Sequence, residues 1–421
     1  MKRNWMIAAA GLALIAACGG PETPSDEALD ETAASETEVT TPGMIEAGEG
    51  FQTRLQTALI EAEEGSTITL PAGTFAMTDG LSLDVDGVTI TGAGQGETVL
   101  DFSGQRGSGE GLLVTADDVT LENFSIQETR GDGIKSKDAD RIIYRDLTVE
   151  WLGEPDAENG AYGVYPVESS DVLVERVTVR GASDAGIYVG QSDNIIVRNS
   201  RAAYNVAGIE IENSTHAEVY GNDVTENAGG ILVFDLPDLP VMGGNSTRIY
   251  DNDIYLNNTP NFAPPGNIVA GVPSGTGVIV MANDKVIVTG NRFDENQTVQ
   301  VLITAYTEPF TDEDYNPLPR NITVSGNSYG EGGNNPQGLL GEFAPLLGGR
   351  MPPIVWDGVT RWDEEADADL NLAIEEGDNI AFVNMGLGSY PVDPAAASPS
   401  MERPDGDAFG ELEPVKLAHA E

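Results

Sequence analysis

The chain has 421 residues, 50 of them glycine, only 6% aromatic residues, and a formal charge of −48 with a pI near 4.1. That acidity rules against a nucleic-acid partner, because binding phosphate needs a basic footprint, and it opposes long-range attraction of polyanionic sugars. The glycine content suits a turn-rich β structure rather than a helical bundle, and a single cysteine leaves no internal disulfide.

Lys2 and Arg3 precede an apolar run through Ala17, the pattern of a secretory signal too short to span a membrane. Ile15-Ala16-Ala17-Cys18 resembles the bacterial lipoprotein cleavage box. The resemblance implies that residues 1–18 are a lipoprotein signal and that Cys18 becomes the lipidated N-terminus. Gly19 stands where inner-membrane retention usually needs Asp, so the expected site is the outer membrane, on its periplasmic side or at the cell surface. Residues 19–49 are rich in Pro, Thr, Ser, Ala and Glu, lack Lys and Arg, and read as a disordered acidic linker. Phe51, Leu55, Ala58, Leu59 and Ala62 fall at helical spacing before Gly65. A helix over 51–64 is therefore predicted, covering the open end of the structure that follows.

From Gly163 the chain repeats. Gly163, Gly186, Gly208 and Gly230 open the segments GVYPV, GIYVG, GIEIE and GILVF at intervals of about 22 residues. In each, the first and third following residues are mostly aliphatic (Ile187/Val189, Ile209/Ile211, Ile231/Val233) and the residue between varies. Period two within a segment is a strand with one buried face, and a fixed period between segments is a stacked repeat. The frame extends upstream to Gly133, Gly111 and Gly80, and downstream to Gly277 and Gln300. A second column runs in step: Asn123, Asp146, Asn199, Asn222, Asn252, Asn291 and Asn327, broken only by Arg176. Asn and Asp tolerate the left-handed backbone of a sharp bend, and their amides can stack from turn to turn.

These two columns resemble the right-handed parallel β-helix of pectate lyases, alginate lyases and mannuronan epimerases. The expected fold is all-β: a single-stranded right-handed parallel β-helix over 50–335, an N-terminal capping helix, and an irregular cap and tail over 336–421. Together with the cleavage box, the chain is most similar to a family of parallel β-helix repeat-containing lipoproteins, which are often encoded beside a secreted c-type cytochrome-like protein. That likeness speaks to architecture and location and leaves chemistry to the residues. Departures from the period place loops at 153–161, 235–246 and 258–275, all bordering the glycine-led sheet. Leu232, Phe234, Ile279 and Met281 point outward from that sheet yet are apolar, so the loops are expected to lie over them.

The outward column of the same sheet runs Lys135, Tyr165, Tyr188, Glu210, with Lys137 and Glu212 beside it and Asp132 and Asp184 in the turns before it. Lysine can neutralise a sugar carboxylate, and tyrosine can act on the adjacent C–H as base or acid. Lys135, Tyr165, Tyr188 and Glu210 are therefore catalytic candidates, and Asp132, Lys137, Asp184 and Glu212 substrate-binding ones. The carboxylates admit Ca²⁺ through oxygen ligands, although no cofactor is required. Glu210 and Glu212 also stand at the separation of a glycosidase pair. The chain lacks the Asp-Pro-His-Glu motif of the epimerases and the Gly-His-Gly of polygalacturonases, and His216 and His419 sit in no motif. Two functions are expected: a monomeric envelope protein that binds, and processes by lyase or epimerase chemistry, a polysaccharide; or a non-catalytic scaffold that docks an envelope protein.

Overall fold

A computed structural model describes residues 43–107, 109–362, 368–408 and 410–420. The signal, Cys18 and residues 19–42 of the linker lie outside them.

The glycine-led strands form one parallel sheet of eleven, running from Leu81–Leu83 through Ala185–Gly190 and Ala207–Glu212 to Phe382–Asn384. Its inner aliphatics stack in a continuous row: Val164 pairs with Ile187, Ile187 with Ile209 and Ile209 with Ile231, each 0% exposed. A slip of one residue would turn the whole row to solvent, so the aliphatic period sets the register.

The second sheet, of nineteen strands, is two flanks folded about a bend, because Thr120–Gln127 and Ile143–Glu150 each run across it. At the bend Asn123, Asp146, Arg176 and Asn199 are left-handed, with φ of 62°, 50°, 52° and 50°. Downstream, Gly221, Asp251, Gly290 and Gly326 hold that position. The asparagines there come one residue later, in register with Ser200, and make a buried amide ladder. Asn222 Nδ2 donates to Asn252 Oδ1 at 2.9 Å, Asn252 to Asn291 at 2.9 Å and Asn291 to Asn327 at 3.0 Å. The single column read from the sequence is thus two devices in succession, a left-handed bend and then a ladder. A second ladder, Asn205–Asn227–Asn257–Asn296, runs through another turn with steps of 3.0, 2.9 and 3.1 Å.

Three boundaries differ from expectation. The capping helix is Phe51–Ile60, shorter than predicted, with Phe51, Leu55 and Leu59 buried on the first coil and Phe51 stacked on Phe75 at 3.7 Å. The expected disordered linker has already become ordered by residue 43: Ile45 is 5% exposed and its N–H donates to the Thr69 carbonyl. The helix does not end at 335 either. Ile354–Trp356 pairs with Val299–Thr304, Leu372–Glu375 with Arg320–Ser325, and Phe382–Asn384 closes the first sheet. The long insertion at 330–353, which carries the short helix Gly338–Phe343, hides this last part of the repeat from any reading of a fixed period.

The end of the expected irregular tail returns along the second sheet. Leu417, 5% exposed, packs on Ile143, Leu173 and Ile196, and the Val415 N–H donates to Glu218 Oε1 at 3.2 Å.

Candidate functional site

The outward column has the expected neighbours: Lys135 pairs with Tyr165 and Tyr188 with Glu210. Lys135 Nζ stands 4.6 Å over the Tyr165 ring, 4.0 Å from Asp132 Oδ2 and 3.9 Å from Glu110 Oε1. Lys137 Nζ is 3.4 Å from Glu168 Oε2. Tyr165, Tyr188 and Tyr162, the last not anticipated from the sequence, form a cluster with ring centroids 4.5 to 4.8 Å apart. Tyr162 stands one residue ahead of Gly163, outside the alternation that defines the column.

Exposure divides the column. The Lys135 and Lys137 side chains are 23% and 47% exposed and Tyr165 is half-buried, whereas Tyr188 is 4% and Glu210 1% exposed. A polymer on the surface reaches the upstream half only, so Tyr188 and Glu210 are corrected from catalytic contacts to buried support. The glycosidase pairing of Glu210 with Glu212 goes with them. Tyr188 donates its hydroxyl to Glu212 Oε1 at 2.7 Å, and Glu210 Oε2 has no partner. Asp184 is 6% exposed and accepts from Asn267 Nδ2 at 3.0 Å, a contact that fastens the 258–275 loop to the site.

Burial governs the acidities. It pushes the Asp132 and Asp184 carboxyls up to about 6 and Glu212 up to about 7, with Lys135, Asn267 and Tyr188 respectively pulling back. Glu210 is raised well above the ordinary range by burial and by Glu212 beside it. Burial and surrounding carboxylates lift Tyr165 to about 12 and raise Tyr162 and Tyr188 as well. A phenol so placed keeps its proton near neutrality, so the tyrosines can donate but do not serve as bases. The groups whose acidity suits a base at neutral pH are carboxylates.

Among the described residues no three His, Cys, Asp or Glu side chains converge as a metal-ligand set. His216, with φ 51°, lies in the strand Thr215–Tyr220 and meets Asp193 Oδ1 at 2.7 Å.

The downstream half is apolar and mostly covered; of the four residues expected to lie under the loops, Met281 is only partly buried. Leu232, Phe234 and Ile279 are 0%, 2% and 3% exposed, beneath Leu236, Val269 and Val272 from the loops. Each such side chain removed from water contributes about 2 kcal/mol.

Residues 82–238 match the family model for the right handed beta helix region. Among solved structures, the chain is similar to the A-module of the Azotobacter vinelandii mannuronan C-5 epimerase AlgE4, at 17% identity over 77% of this chain and 91% of that one, with a TM-score of 0.51. It is also similar to the A-module of AlgE6 from the same organism, at 15% identity over 82% and 96% of the two chains and a TM-score of 0.48. The catalytic unit of a GH87 alpha-1,3-glucanase of Streptomyces thermodiastaticus shares 18% identity over 77% of this chain and 52% of that one, with a TM-score of 0.47. No curated protein sequence matches. At these identities the likeness is one of fold: the molecule is a right-handed parallel β-helix repeat protein.

Proposed function

We propose that this protein binds a polysaccharide along the open upstream half of the glycine-led sheet and acts on it by moving a proton next to a uronate carboxylate. The observation that carries the reading is the Lys135 ammonium, held over the Tyr165 ring with Asp132 beside it on the uncovered end of the column. The tyrosine offers a face for a pyranose ring, and the lysine a countercharge for a sugar carboxylate. Neutralising that carboxylate acidifies the adjacent C–H. Asp132, ionised at neutral pH with its carboxyl at about 6, takes the proton. The Tyr165 phenol, still protonated, returns one to the sugar. Delivered to the departing glycosidic oxygen it completes a β-elimination and leaves an unsaturated end; delivered to the opposite face of the carbon it gives the epimer. The solved structure of highest TM-score reported above is itself a mannuronan epimerase by name, which is consistent with this chemistry.

The reading includes location. The pattern of residues 1–17 and the cleavage box at Cys18 support a lipid tether to the outer membrane. Metabolic labelling with a palmitate analogue should mark the wild-type chain and not Cys18→Ser.

The burial of Tyr188 and Glu210 favours a second, non-catalytic reading, in which the same strip docks an envelope protein such as a c-type cytochrome-like partner. Incubation with polyuronates separates the two. Ultraviolet absorbance of unsaturated ends, or a changed epimer ratio by NMR, supports the first. Neither signal, together with a single co-purifying protein lost in Lys135→Ala, supports the second.

A further inference from the structure

The downstream half of the glycine-led sheet holds a cavity of about 250 Å³. Its floor is the outward face of consecutive coils: Ile279, Leu302 and Val355 lie in register from strand to strand, with Phe234 beside them in register with Met281. Its walls come from three segments far apart in sequence, represented by Val272, Phe343 and Met385. Loops whose task was only to cover an apolar sheet would pack onto it without leaving a void, since protein interiors fill to crystal density. Here three independent segments converge and stop short of one another.

The chemistry of the lining selects the occupant. The walls are aliphatic and aromatic. The one buried carboxylate, Asp357, is already saturated by the Thr304 hydroxyl at 2.9 Å and the Ala305 and Val359 N–H groups at 2.7 and 3.0 Å. Among the described residues lining the cavity there is no Lys, Arg or His, and Glu308 adds a negative charge. An anionic head is therefore disfavoured. The rim is apolar as well: Ile268 and Leu339, both lining the cavity, are 41% and 39% exposed. The volume is about eight times the roughly 30 Å³ of a water molecule in the liquid, and a methylene takes comparable space.

We propose that this cavity binds the end of an uncharged aliphatic chain of about eight carbons, with its polar end, a hydroxyl or a neutral ester, toward Glu308. The site is separate from the Lys135–Tyr165 strip and does not depend on the function proposed for it.

The probe is N-phenyl-1-naphthylamine, whose fluorescence rises in an apolar site, titrated into the purified protein and displaced by 1-octanol or by octanoate at pH 8. Saturable enhancement at one site, competed by 1-octanol at least tenfold better than by octanoate, is the expected result. Leu302→Trp, which fills the floor, and Ile268→Glu, which puts a charge on an exposed lip and spares the core, should each weaken probe binding at least tenfold, while Lys135→Ala leaves it unchanged. Absence of saturable enhancement overturns the proposal, as does enhancement that persists in folded Ile268→Glu or is competed equally by octanoate. Release of an acyl lipid on solvent extraction of protein taken from membranes, with none bound to protein made without membranes, would identify the membrane as the source. A free alcohol or ester recovered from both would identify a soluble one.

Discussion

The Tyr188 hydroxyl reaches Glu212 Oε1, one coil on, by lying across Gly190, where a β-carbon would come within 2.2 Å of the phenolic oxygen. Tyrosine, glycine and glutamate thus form one unit, and the absent side chain at 190 is what lets the buried carboxylate be satisfied. Gly190→Ala should destabilise the protein by about 1–3 kcal/mol, the usual cost of overpacking. Tyr188→Leu, which removes the obstructing ring, should recover most of that loss. Thermal melts of the two single variants and the double variant measure the coupling.

Stability should fall as pH rises from 5 to 8. Asp132, Asp184 and Glu212 have folded values of about 6, 6 and 7, above those of the unfolded chain. Their favourable contribution is therefore complete below the unfolded carboxylate range and is lost as pH climbs through the folded values. A carboxyl whose pKa is raised by one prefers its protonated form by about 1.4 kcal/mol more in the folded protein. Glu212→Gln, which keeps an acceptor for the Tyr188 hydroxyl, should flatten the decline and raise the melting temperature at pH 8 by several degrees, with little change at pH 5. A decline of unchanged slope in that variant would assign the effect to the overall negative charge.

Asn252 occupies the middle of its ladder, donating to Asn291 and to the Val219 carbonyl and accepting from Asn222. Asn252→Ala leaves several buried polar groups unpaired and should cost about 2–4 kcal/mol, since each such group costs about 1–3. Asn123→Gly, at a left-handed bend, should be close to neutral because glycine takes that conformation freely. Denaturant midpoints of the two variants test whether the column holds two devices or one.

Leu417 closes over Ile143, Leu173 and Ile196 on the outside of the second sheet. Leu417→Asp should free the C-terminal segment at a cost of about 2 kcal/mol, the worth of one buried aliphatic side chain. Limited proteolysis should then trim the chain after residue 405 well before any cut within the coils.

The glycine and aliphatic columns were legible because every coil repeats the same steric demand: no side chain where Gly163 and Gly186 face the core, and a branched one at Ile187 and Ile209. The outward column was legible for the same reason, as the pairing of Lys135 with Tyr165 shows. Exposure was not legible. Tyr188 and Glu210 look like Lys135 in the repeat; Tyr188 is buried among Tyr162, Tyr165 and the apolar cluster that includes Val269 and Val272 of the 258–275 loop, which the Asn267–Asp184 contact fastens down. The Asn205–Asn227 ladder had a faint signal, each asparagine standing three residues before the glycine of its coil. The later members, Asn257 and Asn296, are separated from theirs by an insertion or by the loss of the glycine. Leu417 carried no signal at all, because its partners lie more than 200 residues away in sequence.

The most direct test of the open strip is calorimetric titration of a soluble polyuronate into the wild type, Lys135→Ala and Tyr165→Ala at pH 5 and pH 8. Protonation of Asp132 below about 6 removes one of the two carboxylate charges beside Lys135, the other being Glu110, and so leaves the ammonium more available to the sugar carboxylate. Tighter binding at pH 5 than at pH 8, reduced at least tenfold in either variant, is the predicted result; equal affinity in folded Lys135→Ala, Tyr165→Ala and wild type at both pH values would contradict it.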